Sequence, residues 1–143
     1  KSHSMTGYRI GYLISSQKII EKLAKLQALC LTNVSEPIQY ISMKSLEDDV
    51  TENVKIMNER LAKLEFICKE MELEFFRPDG AMYIFARTKN PINTSKLSEE
   101  LLNYGVAIAP GIGFGDYNEF FRISACLDIK TIIKGMDILK TRL

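Results

Sequence analysis

Three features of the sequence place side chains capable of chemistry at definite spacings. Lys1 stands eight positions before Arg9, Pro110-Gly111-Ile112-Gly113-Phe114-Gly115 is rich in glycine, and Arg122 sits inside Phe120-Phe121-Arg122-Ile123-Ser124-Ala125. A lysine amine can attack a carbonyl and can shuttle a proton. An arginine beside a glycine-containing turn suits a phosphate, because its planar fork binds two anion oxygens at once. Each residue also has a plainer reading. Lys1 taken alone is a solvated end, and Arg9 a surface charge at a strand edge. Arg122 lies in an alternating strand whose successive residues face opposite ways. Among such apolar neighbours it either extends to solvent or waits for a carboxylate, and the pattern alone favours the first. The glycine loop precedes a strand instead of opening a helix, so the dinucleotide fingerprint does not apply to it.

The elements that must position these residues follow from periodicity. Arg9 to Ile14 is short, apolar and β-prone, which predicts a strand. Ser15 and Ser16 offer caps for a helix over about 17–31, with Ile19, Ile20, Leu23, Leu26 and Leu29 on one stripe. Pro37 fits the first turn of a second helix, ending near Leu46. Asp48 or Asp49 can cap a third, longer helix over about 48–71, on which Val54, Met57, Leu61, Leu64, Phe66, Ile67 and Met71 recur at helical spacing. The period then changes: Arg77-Pro78-Asp79-Gly80 reads as a turn and Ala81 to Ala86 as a strand. Thr94 or Ser95 would cap a helix over Lys96 to Tyr104, with Gly105 closing it. Val106 to Ala109 and Glu119 to Ala125 read as strands. Asp128 caps a last helix from Ile129 to Leu143, with Ile132, Ile133, Met136 and Leu139 inward. Residues 48–143 can close an α/β layer of their own around the long connecting helix. Residues 1–47 cannot, since one strand and two helices leave the strand's backbone unpaired; they read as a piece of something larger.

Composition narrows the function classes. Hydrophobic residues make up 46% and charged residues 26% of the chain, the balance of a soluble globular protein. The formal net charge of +1 gives no field to draw nucleic acid or an anionic membrane, so neither partner is expected. No apolar run reaches the ~20 residues of a membrane span. Nor does the stretch from Lys1 to Arg9 look like a secretory leader. Cys30, Cys68 and Cys126 are odd in number and lie far apart in apolar segments, which predicts reduced thiols in a cytoplasmic protein. With His3 the single histidine, a Cys/His zinc site has too few ligands, and a Ser-His-Asp triad could be built only there.

The run Lys1-Ser2-His3-Ser4-Met5-Thr6-Gly7-Tyr8-Arg9-Ile10-Gly11 resembles the segment around the cofactor lysine of class I/II (fold type I) aminotransferases. In that family a lysine is followed by Met-Thr-Gly, an aromatic residue, Arg, an aliphatic residue and Gly. Three later segments resemble the family's motifs in the same order: Pro78-Asp79-Gly80-Ala81-Met82-Tyr83, Pro110-Gly111-Ile112-Gly113-Phe114-Gly115, and Phe121-Arg122-Ile123-Ser124. The resemblance implies the small C-terminal domain of that fold, a mixed sheet flanked by helices, over 48–143. It implies the last strand and helices of the large cofactor-binding domain over 1–47. By the same resemblance the parent protein is a pyridoxal-phosphate-dependent transaminase of the aspartate, aromatic or acetyl-diaminopimelate type, acting on an amino acid and a 2-oxo acid as a homodimer. Lys1 would be catalytic and carry pyridoxal 5'-phosphate on its amine, Arg9 would grip the cofactor phosphate, and Arg122 would pair with the substrate α-carboxylate. Phe114 would help shape the substrate pocket, Tyr8 would be structural, and His3 would be a local packing or surface residue.

The family also holds the cofactor ring with residues that precede the lysine, and none of these is present. The expectation is therefore a C-terminal fragment that is inactive alone. The competing expectation is a non-catalytic α/β domain serving structure or association. Exposed apolar stripes on 17–31 would favour the fragment.

Overall fold

A computed structural model describes residues 2–143, which fall into two compact units divided at Asn53 and Val54. In the first unit, α1 (Gln17–Leu31) starts where the Ser16 carbonyl accepts from the Ile19 and Ile20 amides, both at 3.0 Å. Helix α2 (Glu36–Ser45) has Pro37 in its first turn, where a missing N–H costs nothing. Among its described residues none is buried, and Ile19, Ile20, Leu23, Leu26 and Leu29 are all exposed. The strand expected over Arg9 to Ile14 does not form. A β segment needs a neighbour to take its amides and carbonyls, and no described segment pairs with this one. Instead Thr6–Tyr8 makes one 3-10 turn, and Arg9 follows it in the left-handed region at φ 52°.

Helix α3 (Thr51–Glu70) begins as Asp49 Oδ1 accepts from the Thr51 amide at 2.9 Å. Its buried face is Leu61, Leu64, Glu65 and Cys68, while Phe66, one step off that stripe, is 52% exposed. The second unit continues with β1 (Glu74–Phe75), β2 (Tyr83–Arg87), α4 (Thr94–Leu102), β3 (Ala109–Pro110), β4 (Phe120–Ser124) and α5 (Ile129–Lys140). The cap of α4 is Asn93, whose side chain accepts from the Lys96 amide, one residue earlier than expected. Gly105, at φ 74°, closes that helix with Gly105 N–H to Leu102 O and Val106 N–H to Leu101 O, a paired closure that needs a left-handed residue. Asp128 caps α5 as expected, accepting from the Thr131 amide at 3.0 Å.

The four strands lie in the order β1-β2-β4-β3, and every ladder is antiparallel. The α/β class stands, but the mixed sheet expected for it does not. β2 and β3 point the same way and are joined through α4, as in a βαβ unit. β4 then inserts between them, so no parallel ladder is left. Alternation along the strands separates two faces. Ile84 and Ala86 of β2 and Phe121 and Ile123 of β4 meet Leu61, Leu64 and Cys68 of α3, Leu97 and Leu101 of α4, and Ile132, Met136 and Leu139 of α5 in one core. The other face carries the residues between them.

Candidate functional site

That second face is an array of rings and guanidinium groups. The register pairs Tyr83 with Ser124, Phe85 with Arg122, and Arg87 with Phe120, so these six side chains share one side of the sheet. Phe85 sits at the centre. It stacks on Phe120 at 5.0 Å between centroids and takes Phe114 and Tyr117 edge-on at 5.6 and 5.5 Å. Such offset and edge-to-face pairs lock ring orientation beyond what burial alone would do.

Two arginines lie over this surface in different states. Arg87 sits 5.4 Å from the Phe120 ring and is neutralised by Glu74 at 2.8 Å and Glu119 at 3.7 Å. Arg122 lies against two rings, with its guanidinium carbon 4.3 Å from the Tyr83 centroid and 4.7 Å from that of Phe114. Among the described residues no carboxylate pairs with it. It is half-buried and so does not run free into solvent, the outcome that pattern alone favoured. An arginine packed against two rings is restricted in its rotamers and offers its N–H groups to a planar anion.

Phe114 reaches Arg122 because of the glycine loop. Gly111–Phe114 forms a 3-10 turn directly after β3, and Gly111 is buried. A side chain there would strike the backbone carbonyl oxygens of Tyr117 and Phe120. Glycine at this position therefore serves a close backbone approach.

In the first unit, Arg9 lines an open concavity of about 970 Å³ together with Ser2, His3, Thr6, Gln39 and Ser42. Its left-handed backbone folds it over the preceding turn, and Nη1 donates to the Thr6 carbonyl at 3.3 Å. Non-glycine residues rarely adopt that conformation. Among the described residues no carboxylate neutralises Arg9. A guanidinium with no carboxylate partner among the described residues, in a concavity also lined by Ser2 and Thr6, is a donor set that fits a phosphate monoester, the charged part of pyridoxal phosphate; the Ser42 hydroxyl is spent on the Ile38 carbonyl at 2.8 Å. His3 Nδ1 lies 3.0 Å from Ser2 Oγ. Tyr8 is exposed. Lys1 lies outside the described residues.

Of the residues singled out by sequence, then, Phe114 and Arg122 come together in the second unit, and Arg9 belongs to the first. Tyr83 was missed as a neighbour of Arg122. The signal was its place in an alternating strand, but linking it to Arg122 required the register between β2 and β4.

The residues match those of known proteins over nearly the whole chain. An aspartate aminotransferase of Thermotoga maritima is 35% identical over 138 residues, spanning 96% of this chain and 36% of that protein. An aromatic-amino-acid aminotransferase of Thermococcus litoralis is 32% identical over 145 residues, spanning 96% of this chain and 37% of that protein. The chain thus spans little more than a third of the length of the curated relatives it matches. The crystal structure of the Thermotoga maritima aspartate aminotransferase superposes with a TM-score of 0.87 at 34% identity, covering 99% of this chain and 37% of that one. The family description "Aminotransferase class I and II" matches residues 1–139, and the chain belongs to that family.

Proposed function

We propose that this chain is the C-terminal part of an aminotransferase that moves an amino group between an amino acid and a 2-oxo acid with pyridoxal 5'-phosphate. The observation that carries this reading is Arg122. Arg87 on the same face has two carboxylates, whereas Arg122 lies against two rings and has none among the described residues. A half-buried guanidinium without a counter-ion is best explained by a carboxylate that arrives with the substrate. In this reading Arg122 binds the α-carboxylate and fixes the orientation of the substrate Cα–H bond, and Phe114 walls the pocket. Arg9 and the hydroxyls beside it hold the cofactor phosphate. Lys1 carries the cofactor and, once its amine is free, moves the proton at the substrate Cα. The cofactor, when bound, supplies the electron sink.

The apolar stripe on α1 supports assigning residues 1–47 to a larger cofactor-binding domain and 48–143 to the small domain. Ile19, Leu23, Leu26 and Leu29 are exposed, with relative exposures from 39% to 84%, and so large an uncovered apolar face is unusual on a self-contained protein. The parent works as a cytoplasmic homodimer. Its substrate is of the aspartate, aromatic or acetyl-diaminopimelate type. A second reading, a non-catalytic α/β domain, draws support from the complete core of Val54–Leu143.

The test uses this chain and a longer one that includes the coding region upstream of Lys1. The 143-residue chain, incubated with pyridoxal phosphate and trapped with borohydride, should label lysines diffusely and turn over no amino acid. The longer chain should label at Lys1 and transaminate. A stoichiometric Lys1 adduct with turnover in the short chain would overturn its inactivity. A longer chain with neither would leave the structural-domain reading standing.

A further inference from the structure

Resting on the reading of Arg122 as a carboxylate receptor, we propose that Tyr83 is a positioning residue for the reaction. With Phe114 it forms an aromatic clamp that holds the Arg122 guanidinium in position.

The geometry supports each part of the clamp. Tyr83 lies two residues from Phe85, the direct cross-strand partner of Arg122, and so occupies the diagonal position on the same face. Its ring centroid is 4.3 Å from the guanidinium carbon, closer than the 4.7 Å of Phe114. Both clamp residues are anchored. Tyr83 is part of β2, whose ladder to β4 spans five residue pairs, and Phe114 is braced edge-on by Phe85 at 5.6 Å. A guanidinium packed against two rings keeps its N–H fork for binding, and that fork matches the two oxygens of a carboxylate. Arg87 provides the contrast. It touches one ring, and Glu74 and Glu119 complete its environment. The side-chain ordering that carboxylate binding would otherwise cost is thus largely met before the ligand arrives.

The experiment is a ¹⁵N-labelled preparation of the full chain, in which the arginine Nε–H signals are followed by NMR as 2-oxoglutarate is titrated. Arg122 is assigned by loss of its signal in Arg122→Gln. Its Nε proton is expected upfield of those of the other arginines, through ring currents, and to move on titration. Tyr83→Phe keeps the ring and should match the parent chain in both respects. Tyr83→Leu should lose much of the upfield displacement and weaken 2-oxoglutarate binding about fivefold, the fold-change of one lost ring contact. Phe114→Leu removes the other ring while leaving every β2 residue in place and should do the same, which guards against a Tyr83 variant that fails to fold. If both leucine variants keep the parent shift and affinity while Arg122→Gln loses binding, the clamp is refuted and the carboxylate reading survives. If Arg122→Gln binds as tightly as the parent chain, the carboxylate reading fails and the clamp has nothing to position.

Discussion

Gly111 lies against the carbonyl oxygen of Phe120 so closely that an added Cβ would come within 2.7 Å of it. The obstacle is backbone, which cannot swing away as a side chain can. Gly111→Ala should therefore cost about 1–3 kcal/mol, the usual price of overpacking a tight site. It should also pull Phe114 off Arg122. Urea denaturation checks the first effect, and the Arg122 Nε–H chemical shift checks the second. An alanine variant with parent stability would mean that the loop shifts freely.

Cys68 is fully buried on α3, and burial, aided by the nearby Glu65 carboxylate, pushes its thiol up to about 12. Cys30 and Cys126 are exposed. A thiol reagent at pH 8 should modify those two in the native chain and reach Cys68 only after denaturation. The same shift bears on stability. The folded thiol holds its proton above its ordinary value of 9.0, so its contribution is complete below pH 9.0 and is lost as pH rises toward about 12. Melting midpoints for the parent chain and Cys68→Ala across pH 8 to 11 should show the steeper fall in the parent.

Much of this was legible in the sequence, and the boundary is instructive. α1 and α5 were readable because their signals are local: a stripe at helical spacing, and Asp128 in front of it. The family itself was readable by resemblance, from four motifs in order along the chain. The strand at Arg9 to Ile14 was misread because β-propensity says nothing about whether a partner exists. Asn93 was passed over for Thr94 because adjacent polar residues are equally good caps on paper, and Thr94 instead donates its hydroxyl to the Asn118 carbonyl. The bracket around Arg122 was beyond reach. It depends on the register of two strands 37 residues apart and on a turn shaped by Gly111.

Asp128 accepts from both the amide and the hydroxyl of Thr131, at 3.0 and 2.7 Å, and those bonds hold its carboxyl below the usual range. Its contribution is present above pH 3.8, the ordinary value, and is lost as pH falls through the lowered folded value. Asp128→Ala should lower the melting midpoint at pH 7, whereas Asp128→Asn, which keeps an acceptor, should lower it less. The gap between parent and alanine variant should narrow in acid. A gap that stays constant down to pH 2 would argue that the carboxylate charge plays no part.

Leu64 and Phe121 are both completely buried in the shared core, whereas Phe76 is 94% exposed. Leu64→Ala should cost about 2–5 kcal/mol and Phe121→Ala about 3–5 kcal/mol. Phe76→Ser should stay within about 0.5 kcal/mol of the parent. Chemical denaturation of the three variants separates residues that hold the second unit together from an aromatic residue that does not.

The insertion of β4 between β2 and β3 sets the order in which this sheet can be completed. Tyr83–Arg87 and Ala109–Pro110 each take their antiparallel partner from Phe120–Ser124, which follows both in the chain. As the protein emerges from the ribosome, those two earlier strands have no shared neighbour until the later one appears, and Ile84 and Ala86 lack the Phe121 and Ile123 they pack with. A nascent chain stalled before Phe120 would present open strand edges and apolar side chains together, a state prone to aggregation. The same late strand delivers Arg122, so closure of the sheet and assembly of its face of rings and guanidinium groups become one event in biogenesis.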